Sequence, residues 1–233
     1  LTAPVVGRRV IPRGVEIATR QTETSPAIVF TTDNDLTILE PKLQHVVLAR
    51  SVGEPAAPSF DYEDISDRLL RDEPLRAEVF QAIPREGDAF YLGFAENVGG
   101  QVIRLNLGCE PLRASNVNQD DPPLTWEFWN GEGWAPIMPS PEDLATLRRI
   151  EPDVDRLGHR LDDTRGLNRD GRTIFLVPRT AALRELRIGD RALTASWIRC
   201  RAGRLRHDDR FYDRSPLVNR IAPEGIGAVV DAS

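Results

Sequence analysis

Lysine is all but missing: Lys42 is the only one, and the other basic residues among the 30 are arginine. Coding bias in a GC-rich genome and a use for planar, bidentate ion pairs are the two readings of that skew. Two cysteines, Cys109 and Cys200, are too few for a disulfide framework. Both fall in apolar, strand-like surroundings, where a thiol behaves as a small hydrophobe. Two buried thiols and a single bridge between them both fit. No CxxC occurs, and His45, His159 and His207 stand far apart, so metal-ligand spacings such as HxH or HExxH are missing. So are a GxSxG elbow, a Walker loop and a GxGxxG after a strand. No apolar run approaches the ~18 residues of a membrane span, and no charged stretch followed by an apolar one marks a signal peptide. The sequence is therefore read as non-enzymatic, with no catalytic residue, no cofactor and no metal.

What remains is ordinary in bulk. The 233 residues are 40% hydrophobic and 28% charged, enough to bury a sizeable core. A net charge of −6 argues against a dedicated nucleic-acid binder. The chain opens at Leu1 inside a proline-rich stretch, and is read as an internal piece of a longer protein.

The tryptophans are not spread evenly. Three of the four lie in residues 124–134, LTWEFWNGEGW. Period-two alternation puts Trp126 and Phe128 on one face of a strand and Thr125, Glu127 and Trp129 on the other. Asn130-Gly131 offers a positive-φ pair for a tight turn, and Trp134 restarts the return strand. Such a hairpin is a core element, a sugar-stacking platform or an interface anchor.

Around it the chain reads as short strands separated by turns. Val10-Ile11, a Pro12-Arg13-Gly14 turn and residues 15–18 open it, and residues 28–32, 36–39 and 46–49 follow. Residues 51–61 read as a loop, and 65–70 and 75–80 as helical turns parted by Pro74. Residues 89–94 are strongly β, and 102–107 alternate as a half-buried strand. A helix is expected from Pro141, with Ser140 as its N-cap, Leu144, Leu147 and Ile150 on one face, and Pro152 beyond its end. Residues 173–178 and 194–201 are further strands, and 226–230 a short last one. The fold class is mainly β, an antiparallel sandwich or barrel with short helical insertions. The division suggested is an N-terminal β subdomain at 1–110 and a C-terminal one at 111–233 carrying the hairpin; one continuous domain is the alternative.

Asp162-Asp163 and Asp208-Asp209 are paired acids near aromatic residues, as a glycosidase cleft would need. Adjacent acids between strands are more often turn formers, since Asp oxygens accept from nearby backbone N–H groups. The basic run from Arg201 to His207 is followed directly by Asp208-Asp209, and reads as a solvated, partly self-neutralised loop.

Six segments, taken in order, resemble one family: residues 10–19 (VIPRGVEIAT), 28–36 (IVFTTDNDL), 90–94 (FYLGF), 124–134, 162–171 (DDTRGLNRDG) and 197–201 (WIRCR). The family is the baseplate assembly proteins of phage-tail-like contractile injection systems, relatives of the baseplate J wedge proteins. The stretch from Met138 to His159 is longer than the family spacing and is read as a local insertion. The resemblance implies a structural subunit that joins other wedge and hub subunits. It would be made in the bacterial cytoplasm and built into the particle during virion-like assembly. Arg199, Arg201, Arg204 and Arg206 are the expected interface contacts. The aromatic hairpin of Trp126, Trp129 and Trp134 is expected to be core, with at least two of its rings buried. A carbohydrate-binding β-sandwich module exposing these tryptophans is the alternative.

Overall fold

The computed structural model describes residues 4–18, 29–53, 59–70, 76–111, 116–158, 160–203 and 210–229. The chain begins with a two-stranded ribbon. Its outward leg is β1 (Arg8–Ile11) and β2 (Glu16–Ala18), and its return leg β3 (Val29–Thr31) and β4 (Leu36–Leu39). β1 pairs with β4 and β2 with β3. Pro12-Arg13-Gly14 interrupts the outward leg, as its turn residues require. There the Thr32 hydroxyl donates to Pro12 O and accepts from Val15 N. Side chains help to fasten the ribbon to the body: Arg8 Nη2 on β1 donates to Glu96 Oε2 at 2.6 Å, and at Gln101 Leu39 N donates to Oε1 while Nε2 donates to Thr37 O, both at 2.9 Å. A buried amide thus stands in for a neighbouring strand and satisfies two backbone groups.

The body follows in chain order. It comprises β5 (Leu43–Val52), β6 (Ser59–Asp64), α1 (Ser66–Leu70), β7 (Ala77–Glu78), β8 (Ala89–Phe94) and β9 (Gln101–Glu110). Next come β10 (Leu124–Trp129), β11 (Trp134–Pro136), α2 (Pro141–Ile150) and a 3₁₀ turn (Val154–Leu157). The last strands are β12 (Gly171–Leu176), β13 (Leu183–Ile188), β14 (Arg191–Ala202) and β15 (Leu217–Ala228). One sheet runs β11-β10-β14-β8-β5-β6, with β13 paired to β14; the other runs β12-β9-β15-β7. The pairings are antiparallel. With 49% strand against 9% helix, the chain is mainly β, in a sandwich-like arrangement. A cut between residues 110 and 111 passes through both sheets, because each draws strands from both sides of it.

Alternation explains how one core forms between the sheets. Val46, Leu48, Phe90, Leu92, Phe94, Phe128, Ile198 and Cys200 face inward from the seven-stranded sheet, and meet Ile103, Leu105, Leu107, Phe175 and Val218 from the other. Trp126 spans the gap. Its ring lies edge-on to Phe90 at 5.5 Å and to Phe175, on the opposite sheet, at 4.9 Å.

The outer faces are covered as well. α2 lies on the four-stranded sheet, where Leu147, Val154 and Leu157 pack on Val102, Ile174 and Ile226. Ser140 caps the helix as expected, in a capping box with Asp143, and Pro141 sits in its first turn. β9 is therefore more buried than its polar alternation suggests. On the seven-stranded sheet, the β13–β14 hairpin does the covering. Arg191 Nη1 lies 2.7 Å from Asp64 Oδ2 although β8 and β5 separate β14 from β6 in the sheet, so the hairpin crosses that face. Gly93 makes room beneath it: a Cβ there would meet Trp197 Cζ3 at 2.8 Å and Ala195 Cβ at 3.0 Å. Gly93→Val is expected to cost on the order of 3 kcal/mol by overpacking a central strand, read as a lower urea midpoint. An unchanged midpoint would mean that Trp197 does not lie across Gly93.

Three sequence expectations are corrected, and one strand, β13, was not foreseen. Ala77–Glu78 pairs with Leu217-Val218 of β15 as a strand rather than a helical turn; Leu75 lies outside the described residues. Within residues 51–61, Ser51 and Val52 belong to β5 and 59–61 to β6, while 54–58 lie outside the described residues; Arg50, Asp61 and Glu63 pair across the two strands and their polarity hides the ladder. The last strand begins at Leu217, nine residues before Ile226. Its Pro223 falls where β7 no longer flanks β15, the position a proline without an N–H tolerates. β13 (LRELRI) has little strand signal of its own, because only Ile188 is β-branched.

Candidate functional site

The β10–β11 hairpin faces both ways. Trp126 and Phe128 enter the core, while Glu127 and Trp129 point outward, as alternation requires. The turn differs from a two-residue one: Trp129 pairs with Trp134, so four residues intervene, and only Gly131 among them has positive φ, at 99°. Asn130 acts through its side chain, whose Oδ1 accepts from Glu132 N and Gly133 N at 2.9 and 2.8 Å.

Outward, arginines and aromatic rings interleave. The Arg184 guanidinium lies 4.0 Å from the Trp129 ring centroid, and that of Arg199 lies 4.1 Å from Trp134. Trp134 stands edge-on to Trp129 at 5.7 Å and to Tyr91 at 5.2 Å. Glu127 sits at the centre of the charges. It accepts from Arg199 Nε at 2.6 Å and Arg201 Nε at 3.1 Å, while Arg199 Nη1 donates to the Tyr91 hydroxyl at 3.0 Å. Burial, with Tyr91 beside it, holds the Tyr62 phenol well above its ordinary value. Contacts like these are worth most when desolvated, and the Glu127 and Arg199 side chains are 8% and 10% exposed.

The expected interface set therefore divides. Arg199 is buried as part of this cluster, not a surface arginine, because Glu127 and two aromatic rings take up its guanidinium. Arg201 keeps 32% of its side chain exposed. Arg204 and Arg206 lie outside the described residues. Of the three hairpin tryptophans only Trp126 is buried, at 8%, where at least two were expected; Trp129 and Trp134 are half-buried, with arginines against their faces.

A second centre forms where the hairpin meets residues 160–171. The Trp126 indole Nε1 donates to Asp162 Oδ2 at 3.0 Å, and Thr164 donates to Asp162 Oδ1 from its backbone N at 2.8 Å and its hydroxyl at 2.7 Å. Burial raises the Asp162 carboxyl above its usual range, and the bonds from Thr164 and Trp126 oppose that. Asp163 Oδ1 accepts from Arg172 N on β12, so the two acids serve as turn and strand-edge acceptors. Asp208 and Asp209, like His159 and His207, lie outside the described residues. Leu161, Arg165 and Leu167 hold left-handed backbones at φ 53°, 54° and 60°, a strain of about 1–3 kcal/mol each. Leu167 is fully buried and the Tyr212 hydroxyl donates to Gly166 O, which is what holds the loop in place. Nothing in the residue types at 161 and 167 signals that conformation.

A cleft of about 260 Å³ opens beside this loop, lined by Trp126, Ile137, Met138, Leu157, Arg160 and Asp162 among others. Arg160 is committed to the scaffold: its Nη1 donates to Pro122 O and Leu124 O. Cys109 and Cys200 are both free thiols in the core, and burial pushes the Cys109 thiol up to about 12 and Cys200 upward too. Both are therefore protonated, weak nucleophiles at neutral pH. Among the described residues no cluster of three or more His, Cys, Asp or Glu is placed to hold a metal, and no helix is long and apolar enough to cross a membrane. No family model and no curated protein matches the chain.

Proposed function

We propose that this chain is a structural domain of a baseplate wedge protein in a contractile, phage-tail-like injection system. It works by packing against other wedge and hub subunits, without catalysis. The resemblance of six ordered segments suggests the family, and one observation supports it. Four of those segments converge in space. Residues 90–94 on β8, 124–134 on β10 and β11, and 197–201 on β14 occupy neighbouring strands, tied by Glu127, Arg199 and Tyr91. Residues 162–171 join them through the bond from Trp126 to Asp162. Motifs that build one cross-braced panel suit a part that must hold shape under contraction. Of the four arginines expected at an interface, Arg201 is the described one that combines its bond to Glu127 with a partly exposed side chain.

The test is to tag the intact protein carrying this chain and sediment contractile particles from the producing cells. The tag is expected in the particle fraction with sheath and tube. Recovery only in the supernatant, while particles assemble normally, would sink the proposal. The carbohydrate-binding reading draws on the partial exposure of Trp129 and Trp134. Arginines against both ring faces disfavour it, because a sugar would have to displace them. Iodide quenching of tryptophan emission that a soluble glycan relieves would reverse that preference.

A further inference from the structure

The β13–β14 hairpin covers a second apolar cluster on the outer face of the seven-stranded sheet. Leu186, Leu193 and Ala195 of the hairpin rest on Val47, Ala49 and Tyr91. Its tip is fastened by the ion pair between Arg191 and Asp64, whose carboxylate side chain is only 9% exposed. At its base the two strands are tied to each other, Trp197 Nε1 on β14 donating to Arg184 O on β13 at 2.9 Å. His45, on β5, lies beside both fastenings. Its ring stacks on Trp197 with centroids 5.9 Å apart and planes at 25°. Its Nδ1 is buried and has no hydrogen-bond partner.

We propose that His45 is an acid-sensitive release for this hairpin: a proton on its imidazole unfastens β13–β14 and uncovers Val47, Ala49 and Tyr91. The inference does not depend on the baseplate reading. In the neutral imidazole Nδ1 is an idle acceptor, and leaving a buried group unpaired costs more once that group is charged. The imidazolium donates from both nitrogens, and Nδ1–H would then be a buried donor without an acceptor. The charges facing His45 come from two other elements. Asp64 on β6 favours the proton and Arg191 on β14 opposes it. Asp64 is already committed, accepting from Arg191, from Ser66 N at 3.0 Å and from the Ser66 hydroxyl. A charged imidazole therefore competes with Arg191 for the carboxylate that holds the hairpin tip.

The sign of the pH dependence follows. Burial, the dominant influence, holds His45 below its ordinary value in the closed fold. With the hairpin open and the ring hydrated, the value returns to about 6.5. The closed state then binds fewer protons than the open one. Its stability is fully present above about pH 6.5 and is lost as pH falls through the value of the closed fold.

Amide hydrogen exchange on the full chain at pH 7.5 and pH 5.0, corrected for the intrinsic exchange rate, tests this. Leu186 and Leu193 report on the hairpin, and Leu92 on global unfolding. Protection at Leu186 and Leu193 is expected to fall severalfold at the lower pH while Leu92 stays high. In His45→Phe, which keeps a ring on Trp197 and removes the titration, that fall should vanish. The same fall in the variant, or none in the wild type, overturns the proposal. If His45→Phe does not fold, the imidazole titration of the wild-type His45 by NMR decides. A midpoint below about 6.5 that coincides with the pH at which Leu186 and Leu193 lose protection upholds the release, and one at or above about 6.5, or away from that pH, overturns it.

Discussion

Glu127→Ala is expected to lower the unfolding free energy by about 3–5 kcal/mol, the usual cost of leaving a buried charge without its partner. Glu127 is the acceptor for Arg199 Nε and Arg201 Nε together. Arg201 can turn to water. Arg199 cannot, because it is enclosed between Trp134 and Tyr91 and its side chain is 10% exposed. Losing the carboxylate leaves a cation that keeps one bond, to the Tyr91 hydroxyl. The effect belongs to the unpaired charge and not to the pair itself. Replacing both partners with apolar side chains of similar size, Glu127→Leu with Arg199→Met, should therefore recover most of the loss. Urea unfolding of the three proteins reads this directly. A loss of about 1 kcal/mol or less in Glu127→Ala would place the pair among ordinary solvated ones and remove it as the joint between β10 and β14.

Asp162→Ala should come second, at roughly 3 kcal/mol, because it strands three donors at once. The indole N–H of Trp126 and the backbone N–H and hydroxyl of Thr164 all end on this carboxylate. Asp162→Asn keeps one acceptor oxygen and should lose less. The two variants also differ from wild type in pH dependence. The folded Asp162 carboxyl is raised above its ordinary value, so the folded state binds its proton more tightly than the unfolded chain. The stability from that binding is full below about pH 3.9 and is lost as pH rises through the folded value. Neither variant carries it. Their deficits relative to wild type should therefore be largest in acid and shrink towards neutrality. A deficit that grows with pH would show the carboxylate to be better stabilised by its donors than burial allows.

How far the sequence discloses these features depends on whether the signal is local. The α2 helix was legible because Ser140, Pro141 and Asp143 carry their own capping chemistry. The faces of β10 were legible because strand periodicity needs no partner. β13 was not, since Leu, Arg and Glu favour helix and only pairing with β14 decides for strand. The same limit applies to Arg199. An arginine within a basic stretch reads as surface until Glu127, 72 residues away, is placed opposite it. Arg184 was missed for the same reason: its ring partner Trp129 is brought near only when β13 folds back. Cys109 and Cys200 were legible as small apolar residues, and their state as free thiols waited on the structure.

The position of β14 in the seven-stranded sheet bears on how the protein is made. β14 lies between β10 and β8, yet it leaves the ribosome long after both. Until residues 191–202 emerge, the growing chain holds two aromatic-rich strand edges with no mate, Trp126 and Phe128 on one and Phe90 and Phe94 on the other. Synthesis that stalls or terminates in this interval releases a product primed for mispairing with its neighbours. Yield of the intact protein is thus governed by a race between elongation through β14 and self-association of what precedes it, and slow translation past β10 is the condition under which the race is lost.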